Sequence, residues 1–325
     1  MKAIYFDKQR IDLVERGDIA SNPGEVVLKV NIGGICRTDI ELLQGYYEFK
    51  GVAGHEFVGE IVKSPGNSAL VGRRATADIN IGCGECEFCR NDHGRHCLQR
   101  RVIGIHDWDG AFAEYVKVPE ANLCLVPKSL ADREAVFAEP LAAALQVARQ
   151  VTLGGSRRTL ILGDGNLGLL LALALRPFDP ELLLVGRHAD RLKMASDQGV
   201  KTYLADRSMD PARLAATLGG FETVIEATGR PDGIAYAMAL VKSRGTIVMK
   251  TTIRQAASVD ITALAVREIT MLGSRCGDLD MALSFLRERR LDVKPLIGRI
   301  FPLEECREAF EAAQLPGSGK VLITF

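Results

Sequence analysis

The segment from Thr159 to Leu175 restricts the possible folds more than any other part of the chain. Thr159-Leu160-Ile161-Leu162 leads into Gly163-Asp164-Gly165-Asn166-Leu167-Gly168, and an apolar run follows to Leu175. The first four residues read as a strand buried on both faces, and the run from Leu167 to Leu175 reads as a helix. G-x-G-x-x-G between a strand and a helix has a mechanical meaning. The first glycine makes the turn, the second admits a pyrophosphate, and the third lets helix and strand pack closely. Asn166 and Leu167 lie at the start of the helix, whose N-terminus offers amide donors and a positive dipole end to phosphates. The motif alone is weak; between this strand and this helix it predicts a dinucleotide site.

The surrounding pattern repeats the alternation. Leu182 to Val185, Thr223 to Glu226 and Thr246 to Met249 read as buried strands, with Pro231 to Val241 helical between the last two. Glu134 to Val151 reads as one alanine- and leucine-rich helix. Strands alternating with helices imply an α/β fold with a doubly wound parallel sheet. The first ~125 residues differ. Met1 to Phe6, Val26 to Val30, Phe57 to Val62 and Phe112 to Val118 read as strands, punctuated by turns such as Asn22-Pro23-Gly24 and Pro65-Gly66. Near the end, Asp280 to Arg289 reads as a helix and Lys320 to Phe325 as a closing strand. With 325 residues, 47% of them hydrophobic, the chain is long enough for two domains.

Charge and targeting signals narrow the function. Lys and Arg total 41, as do Asp and Glu, so the formal net charge is zero. No basic stripe points to nucleic acid or an anionic membrane as partner. No basic start followed by an apolar stretch opens the chain, and the Leu167 to Leu175 run is too short to span a bilayer. A cytoplasmic protein is expected. In a reducing compartment, clustered cysteines are more often metal ligands than disulfides.

Four of the eight cysteines are clustered: Cys83, Cys86, Cys89 and Cys97 form C-x2-C-x2-C-x7-C. Four thiolates at short spacing suit tetrahedral zinc at ~2.3 Å per bond. Gly82 and Gly84 allow the tight turns this needs. An iron–sulfur loop would more naturally end in C-x3-C-P, and Cys97 is followed by Leu98. A closed four-cysteine site stabilises a loop and leaves no position for chemistry. A zinc-ribbon nucleic-acid module is the rival reading, and the neutral charge argues against it. Cys36, His55, Glu56 and Glu139 offer metal-ligand chemistry too, but their spacing alone does not assemble them.

Several motifs together carry a resemblance. They are Gly-Ile-Cys-Arg-Thr-Asp at 34–39, Gly-His-Glu-Phe-Val-Gly at 54–59, the cysteine cluster, Asp-Gly-Ala-Phe-Ala-Glu-Tyr at 109–115, Ala-Glu-Pro-Leu at 138–141, the glycine loop at 163–168 and Gly-Lys-Val at 319–321. In this order they resemble the zinc-dependent medium-chain alcohol dehydrogenase family, in its polyol and threonine dehydrogenase-like branch. The resemblance implies a Rossmann domain plus a β-rich GroES-like catalytic domain. The catalytic, zinc-binding domain is expected at 1–138 with 273–325, and the dinucleotide domain at 139–272, with the active site in the cleft between them. Two zincs per chain are implied.

By the same resemblance, Cys36 and His55 bind the catalytic zinc, Glu139 is a zinc-proximal ligand, and Glu56 alternates with it. One thiolate and two carboxylates carry three negative charges against two on zinc, so both glutamates are not expected to bind at full strength together. Thr38 matches the hydroxyl that takes the alcohol proton. Two departures stand out. Glu41 occupies a position where many relatives have a histidine that completes the proton route to solvent, and either takes over that step or is merely solvated. Pro65 replaces a usual glycine, with Gly66 one place later.

The cofactor type is read at the tip of the next strand, about 20 residues beyond the glycine loop. There the chain has Gly186-Arg187-His188 and no carboxylate. Arg187 suits a 2′-phosphate, with His188 as a further donor and Arg191 as a weaker candidate, so NADP is favoured over NAD. Asp190 reads as a helix-start residue. Tyr46, Tyr47, Phe49, His106 and Trp108 are candidate pocket walls, and Arg275, between Ser274 and Cys276, a minor one. The expected activity is reversible hydride transfer between a small alcohol (a secondary alcohol, polyol or sugar) and the nicotinamide cofactor. Alternatives are an NADPH-dependent aldehyde or ketone reductase on the same site and a catalytically silent cofactor-binding relative. A homodimer or homotetramer is expected from the family.

Overall fold

The computed structural model describes residues 1–7, 10–45 and 49–325, which divide into two compact units. One comprises Met1–Glu139, Asp278–Arg289 and Ile297–Phe325; the other comprises Pro140–Gly277 and Arg290–Leu296. Among the described residues no helix is long and apolar enough to cross a membrane.

The second unit is built on a six-stranded parallel sheet. Its spatial order is Lys201–Leu204, Leu183–Gly186, Thr159–Leu162, Phe221–Glu226, Val241–Met249 and Thr270–Gly273. The central strand Thr159–Leu162 is buried at all four positions, because helices cover both faces of a parallel sheet. Chain order reverses beside this strand, which makes its carboxyl end the switch point where nucleotides bind in doubly wound folds. The two outermost strands, Lys201–Leu204 and Thr270–Gly273, have no counterpart in the sequence reading. Both sit at sheet edges and are only half-buried, so neither carries a continuous apolar run.

The first unit is β-rich. Its larger sheet pairs Glu25–Gly34 with Glu56–Lys63, with Tyr115–Pro119 and with the final strand Lys320–Thr324, all antiparallel. Gly34 lies opposite Glu56 on one side and Leu322 on the other, so a single strand separates the final strand from the Gly-His-Glu segment. Phe112, Phe310 and Phe6 pack edge to face at 5.6 and 5.5 Å between ring centroids. They share a core with Ile35, Ile40, Val321 and Ile323, which fixes the backbone on both sides of Cys36 and immediately after Lys320.

Two expected elements differ in detail. The stretch Glu134 to Val151 is two helices, Asp132–Ala135 and Ala138–Gln150. Pro140 explains the break. It has no N–H for the Val136 carbonyl and its ring would meet that group in a continuous helix, whereas the first turn of a new helix tolerates it. Phe112 and Ala113 do not join the strand that starts at Tyr115. They instead contact the first strand, through the Ala3–Ala113 bridge and a 2.7 Å bond from Ile4 N to Phe112 O.

Candidate functional site

The four-cysteine loop forms a compact set. Cys86 Sγ lies 3.5 Å from Cys89 Sγ, and Cys83 Sγ lies 4.0 Å from Cys89 Sγ. All four sulfurs fall within 4.8 Å of one another. Sulfurs at ~2.3 Å from a tetrahedral zinc would be about 3.8 Å apart, so the spacing fits the metal. Glycine is required at two places. A Cβ on Gly82 would stand 2.7 Å from Cys89 Sγ, and Gly84 has φ +82°. Backbone N–H groups of Cys83 and Cys86 donate to Cys97 and Cys83 sulfurs at 3.3 and 3.4 Å. The Cys89 backbone and the neighbouring thiols hold the Cys86 thiol down to about 6. A backbone bond from Gly84 lowers Cys89, but burial and the other three thiols outweigh it and push it up to about 11. The four sulfurs thus form a donor set of the size and chemistry that a tetrahedral zinc requires.

A second constellation gathers in the same unit. One ligand atom each from Cys36, His55 and Glu56 lie within 4.8 Å of one another. Cys36 immediately precedes the helix Arg37–Leu43 and caps it reciprocally with Asp39, whose Oδ2 accepts from Cys36 N at 2.8 Å. The other Asp39 oxygen lies 3.2 Å from His55 Nδ1. Asp39 is fully buried, and Asp39 Oδ1 and His55 Nδ1, both without a hydrogen-bond partner, face each other. This is the placement of a carboxylate–histidine pairing, which with the proton on Nδ1 leaves Nε2 free to ligate a metal. Burial lowers the His55 imidazole, but Asp39 and Cys36 outweigh it and hold it well above its usual value. A buried thiol, imidazole and carboxylate sharing one small volume form a donor set suited to zinc.

Glu139, in the first turn of Ala138–Gln150, is also buried. Its carboxylate is not among the atoms in mutual reach. Burial pushes its carboxyl up to about 7, with His55 and Lys320 opposing and Glu56 adding to the rise. Glu56 is bound instead by Lys320, whose Nζ lies 2.8 and 2.6 Å from its two oxygens. Burial lowers the Lys320 ammonium, but Glu56, Cys36 and Asp39 raise it overall. Sequence reasoning gave Lys320 and Asp39 no role at the metal. The available signals were the Gly-Lys-Val motif and the Cys-x-x-Asp spacing at a helix start.

Thr38 Oγ1 lies 3.8 Å from Cys36 Sγ. Glu41 is buried and paired with Arg37, whose Nε donates to it at 2.8 Å; no bond joins it to Thr38. Trp108 is stacked under Arg101 at 4.6 Å and bonds Lys117 O through its indole nitrogen, while His106 is largely exposed and near Asp107. Phe49 packs against Phe6. Tyr46 and Tyr47 lie outside the described residues.

An Asp39→Asn variant tests the histidine pairing. It keeps the shape and the bond to Cys36 N but removes the charge facing His55. Zinc affinity at this site, measured by competition with a chelator, is expected to fall about 10- to 100-fold. The four-cysteine zinc should be unaffected, which makes it the internal control.

In the other unit, each glycine of the 163–168 loop has its expected reason. Gly163 has φ +109°, and a Cβ there would meet Ala227 O at 2.6 Å. Gly168 approaches Gly163 O so closely that a Cβ would overlap it. Gly165 faces open space and caps the helix Asn166–Leu175, where a phosphate can approach the free N–H groups. Arg187 is half-buried, its guanidinium 5.6 Å above the Tyr236 ring and 3.2 Å from the Tyr236 hydroxyl. Arg191 is buried and points into the glycine loop, where Nε donates to Asp164 O at 3.1 Å.

A β-rich unit with two metal-ligand clusters and a Rossmann unit with this loop define a zinc-dependent dehydrogenase. Residues 22–128 match the alcohol dehydrogenase GroES-like domain, and residues 167–288 match the zinc-binding dehydrogenase domain. The chain belongs to the zinc-dependent medium-chain alcohol dehydrogenase family. It is a zinc-containing NAD(P)-dependent dehydrogenase acting on alcohols or polyols. It is 28% identical to a sorbitol dehydrogenase of Halalkalibacterium halodurans, over 92% of this chain and 91% of that one. It is 28% identical to an L-threonine 3-dehydrogenase of Bacillus subtilis, over 92% and 90%. Among solved structures, an alcohol dehydrogenase from Escherichia coli CFT073 complexed with NADH superposes with TM-score 0.91 at 26% identity, covering 100% of this chain and 99% of that one. A chain from Sinorhizobium meliloti 1021 described as a zinc-binding dehydrogenase, bound to NADP, gives 0.91 at 28% identity with the same coverage. Relatives with either cofactor are thus equally similar in fold.

Proposed function

We propose that this protein transfers hydride between a secondary alcohol, polyol or sugar and NADP, at a metal held by Cys36, His55 and Glu139, with Glu56 as the alternating ligand. The observation that carries the reading is the Cys36–His55–Glu56 cluster with Asp39 behind the imidazole. A zinc bound there supplies Lewis acidity to the substrate oxygen. Lys320 neutralises Glu56, which leaves Cys36 and Glu139 as the anions that balance a divalent ion. Glu56 then holds its place as a reserve ligand. Thr38, beside Cys36, accepts the alcohol proton at Oγ1 as it passes its own hydroxyl proton on towards solvent or the cofactor ribose. Glu41 is engaged by Arg37, so this reading routes the proton onward from Thr38 without a step through Glu41.

NADP rests on Arg187, a half-exposed guanidinium at a strand tip without a carboxylate side chain of its own. The same feature supports operation as an NADPH-dependent ketone or aldehyde reductase, the reverse of the same reaction. The chain is also proposed to form a dimer or tetramer through the nucleotide-binding unit. Its edge strand Thr270–Gly273 is half-exposed, and nearby Ile261 and Val266 are 75% and 78% exposed. Sedimentation should give a dimeric or tetrameric mass; a monomer at micromolar concentration would refute this.

The test is a panel of secondary alcohols, polyols and matching carbonyls, assayed with zinc-loaded protein and each cofactor. Turnover with a higher kcat/KM for NADP is expected, together with two zincs per chain. A strong preference for NAD would remove the Arg187 argument. Full metal content with no turnover on any member would favour a silent relative.

A further inference from the structure

The middle residue of G-x-G is free to vary in the motif, and in this chain it is a buried aspartate. Asp164 Oδ2 accepts from the backbone N–H groups of Arg187 and His188 at 2.9 and 2.7 Å. Its two oxygens also lie 3.2 and 3.1 Å from His188 Nδ1. With Oδ2 taking both backbone donors, Oδ1 turned to the imidazole and the residue only 7% exposed, this carboxylate presents little acceptor surface to a ligand. Arg191 holds the same residue from behind, at its carbonyl.

The position this carboxylate occupies matters. A Cβ on Gly186 would stand 2.4 Å from Asp164 Oδ2 and 2.5 Å from Asp164 Cβ and Cγ. No side chain fits at residue 186 while Asp164 is in place. Residue 186 ends the second strand of the sheet, where an acid would accept bonds from the ribose hydroxyls of NAD. Here the acid arrives from the glycine loop, excludes a side chain at 186, and spends its lone pairs on the strand tip itself. What remains for a ligand is the Arg187 guanidinium and, in the imidazolium form only, the outer nitrogen of His188, whose side chain is 39% exposed. A rim of donors suits a phosphate monoester and offers little to a vicinal diol, which needs an acceptor.

We infer that Asp164 is a positioning residue that sets cofactor specificity: paired with Gly186, it blocks an NAD-type acid and fixes Arg187 and His188 to receive a 2′-phosphate. The inference rests on the NADP reading above.

The experiment compares wild type, Asp164→Ala, Asp164→Asn, Gly186→Asp and the double variant Asp164→Gly/Gly186→Asp. NADPH and NADH binding are measured by fluorescence titration, kcat/KM with each cofactor, and thermal melting. Asp164→Ala should lower the NADP-to-NAD ratio by about tenfold or more, the scale of a lost charge-assisted hydrogen bond. Asp164→Asn, which keeps the volume, should lower it less and serves if the alanine variant does not fold. Gly186→Asp alone should melt earlier and bind both cofactors poorly. The double variant should recover the fold and prefer NAD. A ratio within about twofold of wild type in both Asp164 variants that fold, or equal behaviour of Gly186→Asp and the double variant, would overturn the inference. The NADP reading fails separately, on a wild-type ratio below one; the change in ratio still decides the role of Asp164.

Discussion

A His55→Ala variant is expected to lose about a thousandfold or more in kcat/KM and to retain one zinc per chain in place of two. The size follows from what the site supplies. Lewis-acid stabilisation of the reacting oxygen amounts to several kcal/mol, and each 1.36 kcal/mol is tenfold in rate. His55 offers the one nitrogen among the three donors of the cluster, and it is buried with Nδ1 3.2 Å from Asp39. The remaining zinc belongs to the four-cysteine loop, which shares no residue with this site. Metal analysis and kinetics on the same preparation decide the matter. A variant that keeps two zincs and most of its activity would refute the assignment. A melting curve guards against a trivial loss, since removing the imidazole leaves the buried Asp39 carboxylate without the partner it faces.

Residues close in sequence were the easiest to read. The strand and glycine loop from Thr159 to Gly168 were legible because each position has a local steric cause, and the four cysteines because their spacing closes a small ring. The edge strands Lys201–Leu204 and Thr270–Gly273 were not, since a half-exposed edge imposes no strict pattern on its residues. The helix break before Ala138 was legible in principle, through Pro140, and was overrun by the alanine-rich composition around it. The metal site shows the limit more sharply. Cys36 and Asp39 are neighbours and announce each other through the helix cap, but Glu56 and Lys320 are 264 positions apart. Only the pairing of the final strand with Glu25–Gly34 brings that ammonium to that carboxylate. Charge balance at the metal depends on this contact, so the choice between Glu56 and Glu139 could not be made from their types alone.

Replacing Cys89 by serine, or stripping the loop with a chelator, is expected to remove one zinc, lower the melting temperature by about 10 °C or more, and expose residues 82–100 to protease. Regular secondary structure contributes little to holding the loop. Its only regular elements are the four-residue helix Glu87–Arg90 and the short turn Gly94–His96, and of the four cysteines only Cys97 is buried. Binding should also depend on pH in a defined direction. Cys86, held to about 6, is already a thiolate at neutral pH, while Cys89, pushed up to about 11, keeps its proton. A metal bound by all four sulfurs must displace that proton, so affinity rises with pH through the neutral range. As pH falls below about 6, Cys86 protonates as well, and the zinc becomes progressively easier to remove. Chelator competition from pH 5 to 8 should show this slope, and Cys36 and His55 should retain their own zinc in the serine variant. A Cys89→Ser protein with unchanged melting temperature, unchanged protease resistance and two zincs would show that the cluster does not hold the loop.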